Sequence, residues 1–266
     1  MANVYASAAV NFATEPLDDA AQARAAARMA LKFDPRSADA LAAEGFLDAL
    51  VGLRWKDGEQ EIRRAIAIAP QDATLHNRLG VVLDSQGRFA EAIQELRFCE
   101  NLDPLAAGAG VTLGFASFLA RQYDAALRQL SKVERLHPDL YMVHPYIGDA
   151  WIGKRDFPKA MAEYQSVRAR VPTVAYRIAY LMAITGKQKE ARAILARLEH
   201  PQPGAPPPDA FSLGAIYGAL GDRDRAFAWL DRAYDRRNVA LLKVHPFLDP
   251  LRHDPRFAAL LRKSGF

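Results

Sequence analysis

Small and apolar side chains return along this chain on one long period. Leu79-Gly80, Leu113-Gly114 and Ile147-Gly148 hold a common register. Ala92, Ala126 and Ala160 follow each glycine by twelve residues, and Leu96, Leu130 and Tyr164 follow each alanine by four. Pro70, Pro104, Pro138 and Pro172 close these stretches at 34-residue intervals. The pattern predicts repeated pairs of helices. A glycine in the first helix leaves room for its partner to pack at short distance, and the large residue of the second helix fills that room. Each proline lacks the amide that would continue a helix and turns the residue before it away from helical angles, so it ends the second helix.

The repeat can be followed outward from its regular middle, units 71–104, 105–138 and 139–172. Upstream, unit 37–70 places Gly45 at the close-contact position but is one residue long, and the addition falls around Gly52-Leu53-Arg54-Trp55 between its helices. The first unit, 4–35, has Ala23, Ala27 and Ala30 at packing positions of its second helix. Asn11 stands where its first helix would carry a small residue. Unit 173–200 keeps Ala179, Ala191 and Leu195 but is short by three residues. Residues 201–208, with five prolines, predict an extended connector. A last unit then resumes with Leu213-Gly214, Tyr217, Ala226, Leu230 and Ala233, and together with a capping tail it makes up 209–266. The tail ends in an amphipathic stretch opening with Asp254 as cap and Pro255 at the first helical position.

This combination of glycine, alanine, large apolar residue and proline resembles the tetratricopeptide repeat, a helix-turn-helix unit stacked into a superhelix. The resemblance implies an all-α, right-handed α-solenoid of about six units over 1–200, continued after the connector and closed by a C-terminal capping helix. The tail, with Pro246-Phe247-Leu248-Asp249-Pro250-Leu251-Arg252 followed by Asp254-Pro255-Arg256-Phe257, is similar to the ending of bacterial arrays often fused to winged-helix regulators or protein kinases. An alternative reading follows from that likeness, in which the chain is the sensory or effector part of such a regulator.

In repeats of this kind the first helices line a concave wall. Projected here, the wall carries Phe46, then Asn77, Arg78 and Asp84, then Phe115 and Phe118, then Tyr146 and Asp149, then Tyr176, Arg177 and Tyr180. Its middle is aromatic and apolar, and such a surface is costly to leave in water. It is expected to hold an amphipathic helix, an extended peptide or the chain's own tail. For each aromatic the competing reading is packing between neighbouring first helices. The carboxylate clamp of chaperone-binding members is missing, because Ala42, Phe46, Arg78, Gly108 and Thr112 stand at its positions.

Composition changes this picture little. Half the residues are apolar and a quarter charged, which supplies a continuous core. The excess of basic residues lies from residue 222 onward, with ten Lys/Arg against six Asp, while the rest balances at 25 to 25. These charges alternate, as in Asp222-Arg223-Asp224-Arg225, so the end reads as a solvated face and nucleic acid is not the expected partner. No apolar run approaches a membrane span, and the first residues lack the basic cluster and apolar stretch of a signal peptide. A single cysteine, Cys99, fits a reducing, cytoplasmic setting and a packing role.

No glycine-rich phosphate loop, nucleophile elbow or regular metal spacing is present. His76 and His144 occupy equivalent repeat positions and read as packing residues, and the irregular cluster His245, Asp249, His253 and Asp254 reads as turn and cap chemistry. The expected function is therefore a non-catalytic scaffold for a protein or peptide partner, with no cofactor and no metal.

Overall fold

The computed structural model describes residues 16–202 and 204–266, and among these it contains fourteen α-helices and no strand. The expected first helix of unit 4–35, with Asn11, lies outside the described residues. Helix α1 (Pro16–Phe33) is followed by six hairpins: α2 (Ala38–Leu50) with α3 (Trp55–Ile68), α4 (Ala73–Ser85) with α5 (Phe89–Leu102), α6 (Ala107–Leu119) with α7 (Tyr123–Leu136), α8 (His144–Gly153) with α9 (Phe157–Val167), α10 (Val174–Ile184) with α11 (Gln188–Glu199), and α12 (Ala210–Ala219) with α13 (Arg223–Asp235). Helix α14 (Pro255–Lys263) closes the chain. Within each hairpin the two helices pack on one another, and the first helices of successive hairpins also touch. The result is a right-handed α-solenoid whose inner wall is the row α2, α4, α6, α8, α10, α12.

The repeated glycines do what their spacing implies. A Cβ on Gly80 or Gly114 would lie 2.6 Å from Leu96 or Leu130, and one on Gly148 would lie 2.3 Å from the Tyr164 ring. Tyr164 is fully buried, so it could not step aside without opening the core. The hairpin α2–α3 goes further and packs backbone on backbone: a Cβ on Gly58 would meet the Gly45 carbonyl oxygen at 2.3 Å.

The turns inside the hairpins are three residues long, except at 51–54, where the extra residue of unit 37–70 makes four. Each turn holds one residue in the left-handed region. Gly87, Gly186 and Gly221 take φ of +77°, +80° and +79°, but Arg121 and Arg155 occupy the same place at +61° and +62°. Arg121 uses its side chain there, donating from Nη1 and Nη2 to the two carboxylate oxygens of Asp249, each at 2.7 Å. Arg155 is exposed and forms no side-chain hydrogen bond or ion pair among the described residues. A left-handed L residue costs roughly 1–2 kcal/mol, and glycine loses roughly 0.5–1 kcal/mol of that advantage through its freer unfolded chain. Arg155→Gly is therefore expected to stabilise the fold by about 0.5–1 kcal/mol in denaturant unfolding, and Arg121→Gly is not, since it removes the clamp on the tail.

The tail does more than cap the last hairpin. Helix α14 lies on α13, but residues 238–251 turn back across the concave side and pack, through a 3-10 turn at Pro246–Leu251, against α12. Val239, Leu242, Leu248 and Leu251 are fully buried. The chain end then reaches the hairpin α2–α3. Phe266 stacks on Trp55 with ring centroids 4.6 Å apart, and Trp55 Nε1 donates to the Ser264 carbonyl at 3.0 Å. The sequence offers the tail both as a cover for the last repeat and as one candidate occupant of the concave wall. The structure shows both, and adds a strap that ties the last hairpin to the second unit, because the superhelix curves enough to bring both within reach of one 30-residue segment, residues 237–266.

Candidate functional site

The concave side is where the inner-wall residues and the strap meet. Residues 236–247 cross the middle of the wall and divide it into two cavities. The larger, about 650 Å³, lies between α2, α4, α6 and the strap, and its lining includes Phe46, Asn77, Arg78, Val81, Asp84 and Phe115. The smaller, about 480 Å³, lies between α8, α10, α12 and the strap, and includes Tyr176, Arg177, Tyr180, Phe211, His245 and Phe247. Phe115, Met142 and Tyr146 on the wall and Asn238 and Leu241 on the strap line both.

Nine of the eleven residues projected onto the wall therefore line a cavity; Phe118 and Asp149 do not. Phe118 is 1% exposed and sits among Phe115, Tyr123, His245 and Phe247, so the packing reading holds for it. The strap produces this burial by laying His245 and Phe247 over the ring. Asp149 is completely buried and supports its neighbour. Arg177 Nε donates to both its carboxylate oxygens at 3.0 Å, and Tyr164 donates to Oδ1 at 2.8 Å. Burial by itself lowers the pKa of Arg177. The carboxylate beside it more than offsets this and holds the guanidinium above its ordinary value. The Arg177 guanidinium also lies 5.6 Å from the Tyr146 ring centroid, which fixes that ring at the junction of the two cavities.

Sequence reasoning missed the strap's own contribution. His245 is enclosed by the rings of Phe211, Phe118 and Phe247, with centroids 5.6, 5.7 and 4.8 Å away. Burial first, then Arg177, lowers its pKa to about 3, so the ring is neutral. Its Nδ1 accepts from the Phe247 amide at 3.2 Å, which leaves the proton on Nε2. Phe247 stacks on Tyr180 at 4.0 Å with 14° between the planes. Tyr180 is thereby covered as much as it covers. The connector contributes too: residues 205–208 wall the smaller cavity, and the Asp209 amide donates to the Tyr176 hydroxyl at 2.9 Å. Only the aromatic content of the tail hinted at any of this in the sequence.

The titratable groups outside the wall have other duties. His76 and His144 each meet a glutamate nineteen residues on, Glu95 at 2.7 Å and Glu163 at 2.8 Å, which repeats one inter-helix contact in two units. Asp249 clamps Arg121 and Arg252, Asp254 caps α14 and pairs with Arg256, and His253 is exposed. Among the described residues no group of three or more His, Cys, Asp or Glu could hold a metal ion. Cys99 is buried, and burial raises its thiol to about 11, which keeps it protonated. No helix among the described residues is long and apolar enough to cross a membrane.

Asp84 differs from all of these. It is 5% exposed, lines the larger cavity, and its Oδ1 is buried without a hydrogen-bond partner. Burial is the sole cause that raises its pKa from 3.8 to about 8. The folded group thus keeps its proton across a window where the unfolded one has lost it, so its contribution to stability falls as pH rises from 3.8 to about 8.

Stacked helical hairpins with a lined concavity define an α-solenoid of the helix-turn-helix type. The comparisons name the type. A family model described as tetratricopeptide repeat matches residues 212–247, which span α12, α13 and the start of the strap. A crystal structure of a tetratricopeptide repeat protein from Parabacteroides merdae aligns over 99% of this chain and 98% of its own, at 12% identity and a TM-score of 0.65. The structure of Pseudomonas aeruginosa pilF aligns over 77% of this chain and 93% of its own, at 23% identity and a TM-score of 0.53. No curated protein matches the sequence significantly. The match at residues 212–247 and the shared fold make this chain similar to tetratricopeptide-repeat solenoids.

Proposed function

We propose that this protein is a non-catalytic scaffold that holds a segment of a partner polypeptide against the concave wall, in the cavities beside the strap. The observation that carries this reading is that an apolar, aromatic concavity remains open after the chain's own tail has been laid into it. Tyr141 and Met142 support it, being 37% and 42% exposed at a place where Met142 lines both cavities. A segment entering there would meet Phe115 and Tyr146, whose rings stand 5.3 Å apart edge to face, and Arg177 behind them.

Replacing Phe115 and Tyr146 together by alanine is expected to reduce partner capture roughly ten-fold or more, the loss typical of central aromatic anchors. Circular dichroism should show helical content unchanged. A photo-crosslinking residue at Met142 should attach the captured partner in the parent protein. Undiminished capture by the double variant, with no crosslink from position 142, would move the interface to the convex face.

A further inference from the structure

We propose that the larger cavity is a binding site for an ammonium group carried on an apolar body, with the Asp84 carboxylate as its counter-ion. The inference is independent of which partner the scaffold holds. A buried carboxyl with an unmet oxygen costs free energy that the fold has no need to spend, since serine or alanine at this place on α4 would leave no such debt. Asp84 supports nothing around it: it caps no helix, and no ion pair or hydrogen bond of its side chain is present among the described residues. What it does is present an acceptor to an apolar chamber of about 650 Å³.

The chamber suits a cation for two further reasons. Its walls include the rings of Phe46, Phe115 and Tyr146, whose faces attract cations. Its resident charges are committed elsewhere. Arg78 lies 6.0 Å from the Phe46 ring centroid and is drawn to Asp39 and Asp72, while Arg237 lies over the Tyr234 ring at 5.2 Å. None of these groups, nor Asp103 at the rim or Lys243 on the strap, shifts Asp84, whose only perturbation is burial. An entering R–NH₃⁺ keeps its own protons. Asp84 gives up its proton to solvent, and the products are an ion pair in the cavity and one hydronium in the buffer.

The test is titration calorimetry of the full chain with 2-phenylethylamine, run in two buffers of different ionisation enthalpy. Binding with release of close to one proton is expected between about pH 6 and 7, with release falling away above about pH 8. 2-Phenylethanol, which has the same body and no charge, should bind about ten- to hundred-fold more weakly, and Asp84→Asn should weaken the amine by a similar factor. An apolar peptide with one central lysine distinguishes the sources of the group. Tighter binding of the peptide assigns the cavity to a lysine of a held segment, and tighter binding of the amine assigns it to a free small molecule. No amine binding at millimolar concentration, equal binding of the alcohol, or binding without proton release would each overturn the proposal. All three are read on the unaltered protein, so they decide the matter even where Asp84→Asn fails to fold.

Discussion

Replacing Asp149 by alanine is expected to destabilise the protein by about 3–5 kcal/mol, one of the two largest effects among single substitutions foreseen here. The carboxylate is completely buried and accepts from the single Arg177 Nε–H, shared between its two oxygens, and from the Tyr164 hydroxyl. Removing it leaves a mostly buried guanidinium without its hydrogen-bonded carboxylate and a buried phenol with no acceptor. The loss would be seen as a lower urea midpoint with an unchanged denaturant slope. The cause can be separated from simple cavity formation. Asp149→Leu combined with Arg177→Met removes both charges and should recover most of the stability, because a buried pair contributes little net stability over apolar residues of similar size. A single-variant loss below about 1 kcal/mol, or a double variant no better than the single, would show that the pair is not an interdependent unit.

Phe247→Ala is expected to cost about 3–5 kcal/mol, the range for truncating a buried phenylalanine. Its ring lies flat on Tyr180 and edge-on to Phe118 and His245, so its removal opens space between the strap and two inner-wall helices, α6 and α10. This result separates two views of the tail. A strap that completes the fold loses global stability with Phe247, and amide exchange should rise across residues 239–251 and also near Trp55, where the chain end docks. A tail that merely rests in the groove would exchange faster by itself and leave the unfolding midpoint in place. The full burial of Leu242, Leu248 and Leu251 and the two-point Arg121–Asp249 clamp favour the first view.

Much of the architecture was legible because the repeat makes its constraints local. Gly80 faces Leu96 and Gly148 faces Tyr164 across hairpins of fixed turn length, so a spacing in sequence translates directly into a contact. The wall positions were legible for the same reason, and Asn77, Arg78 and Asp84 fall in one cavity as their register implies. What was not legible depends on curvature. Whether Phe118 and Tyr180 stay open is decided by a segment more than sixty residues further along the chain, and nothing in the periodicity says where that segment will lie. The odd residues of the turns show the same division. A left-handed centre is required at 121 and 155 by the hairpin geometry, but only the position of Asp249 explains why the first is arginine.

By itself, then, the sequence determined the hairpins, their pairing and the face each inner helix presents, because helix packing at close range depends on side-chain size at positions a few turns apart. The tertiary structure alone decided that the tail crosses the concavity, that His245 and Phe247 become part of its lining, and that Asp84 is left with an unpaired carboxyl oxygen at the wall of the larger cavity. Those outcomes follow from the accumulated rotation between successive units, a small angle per repeat that no single repeat encodes and that only the stacked whole converts into proximity.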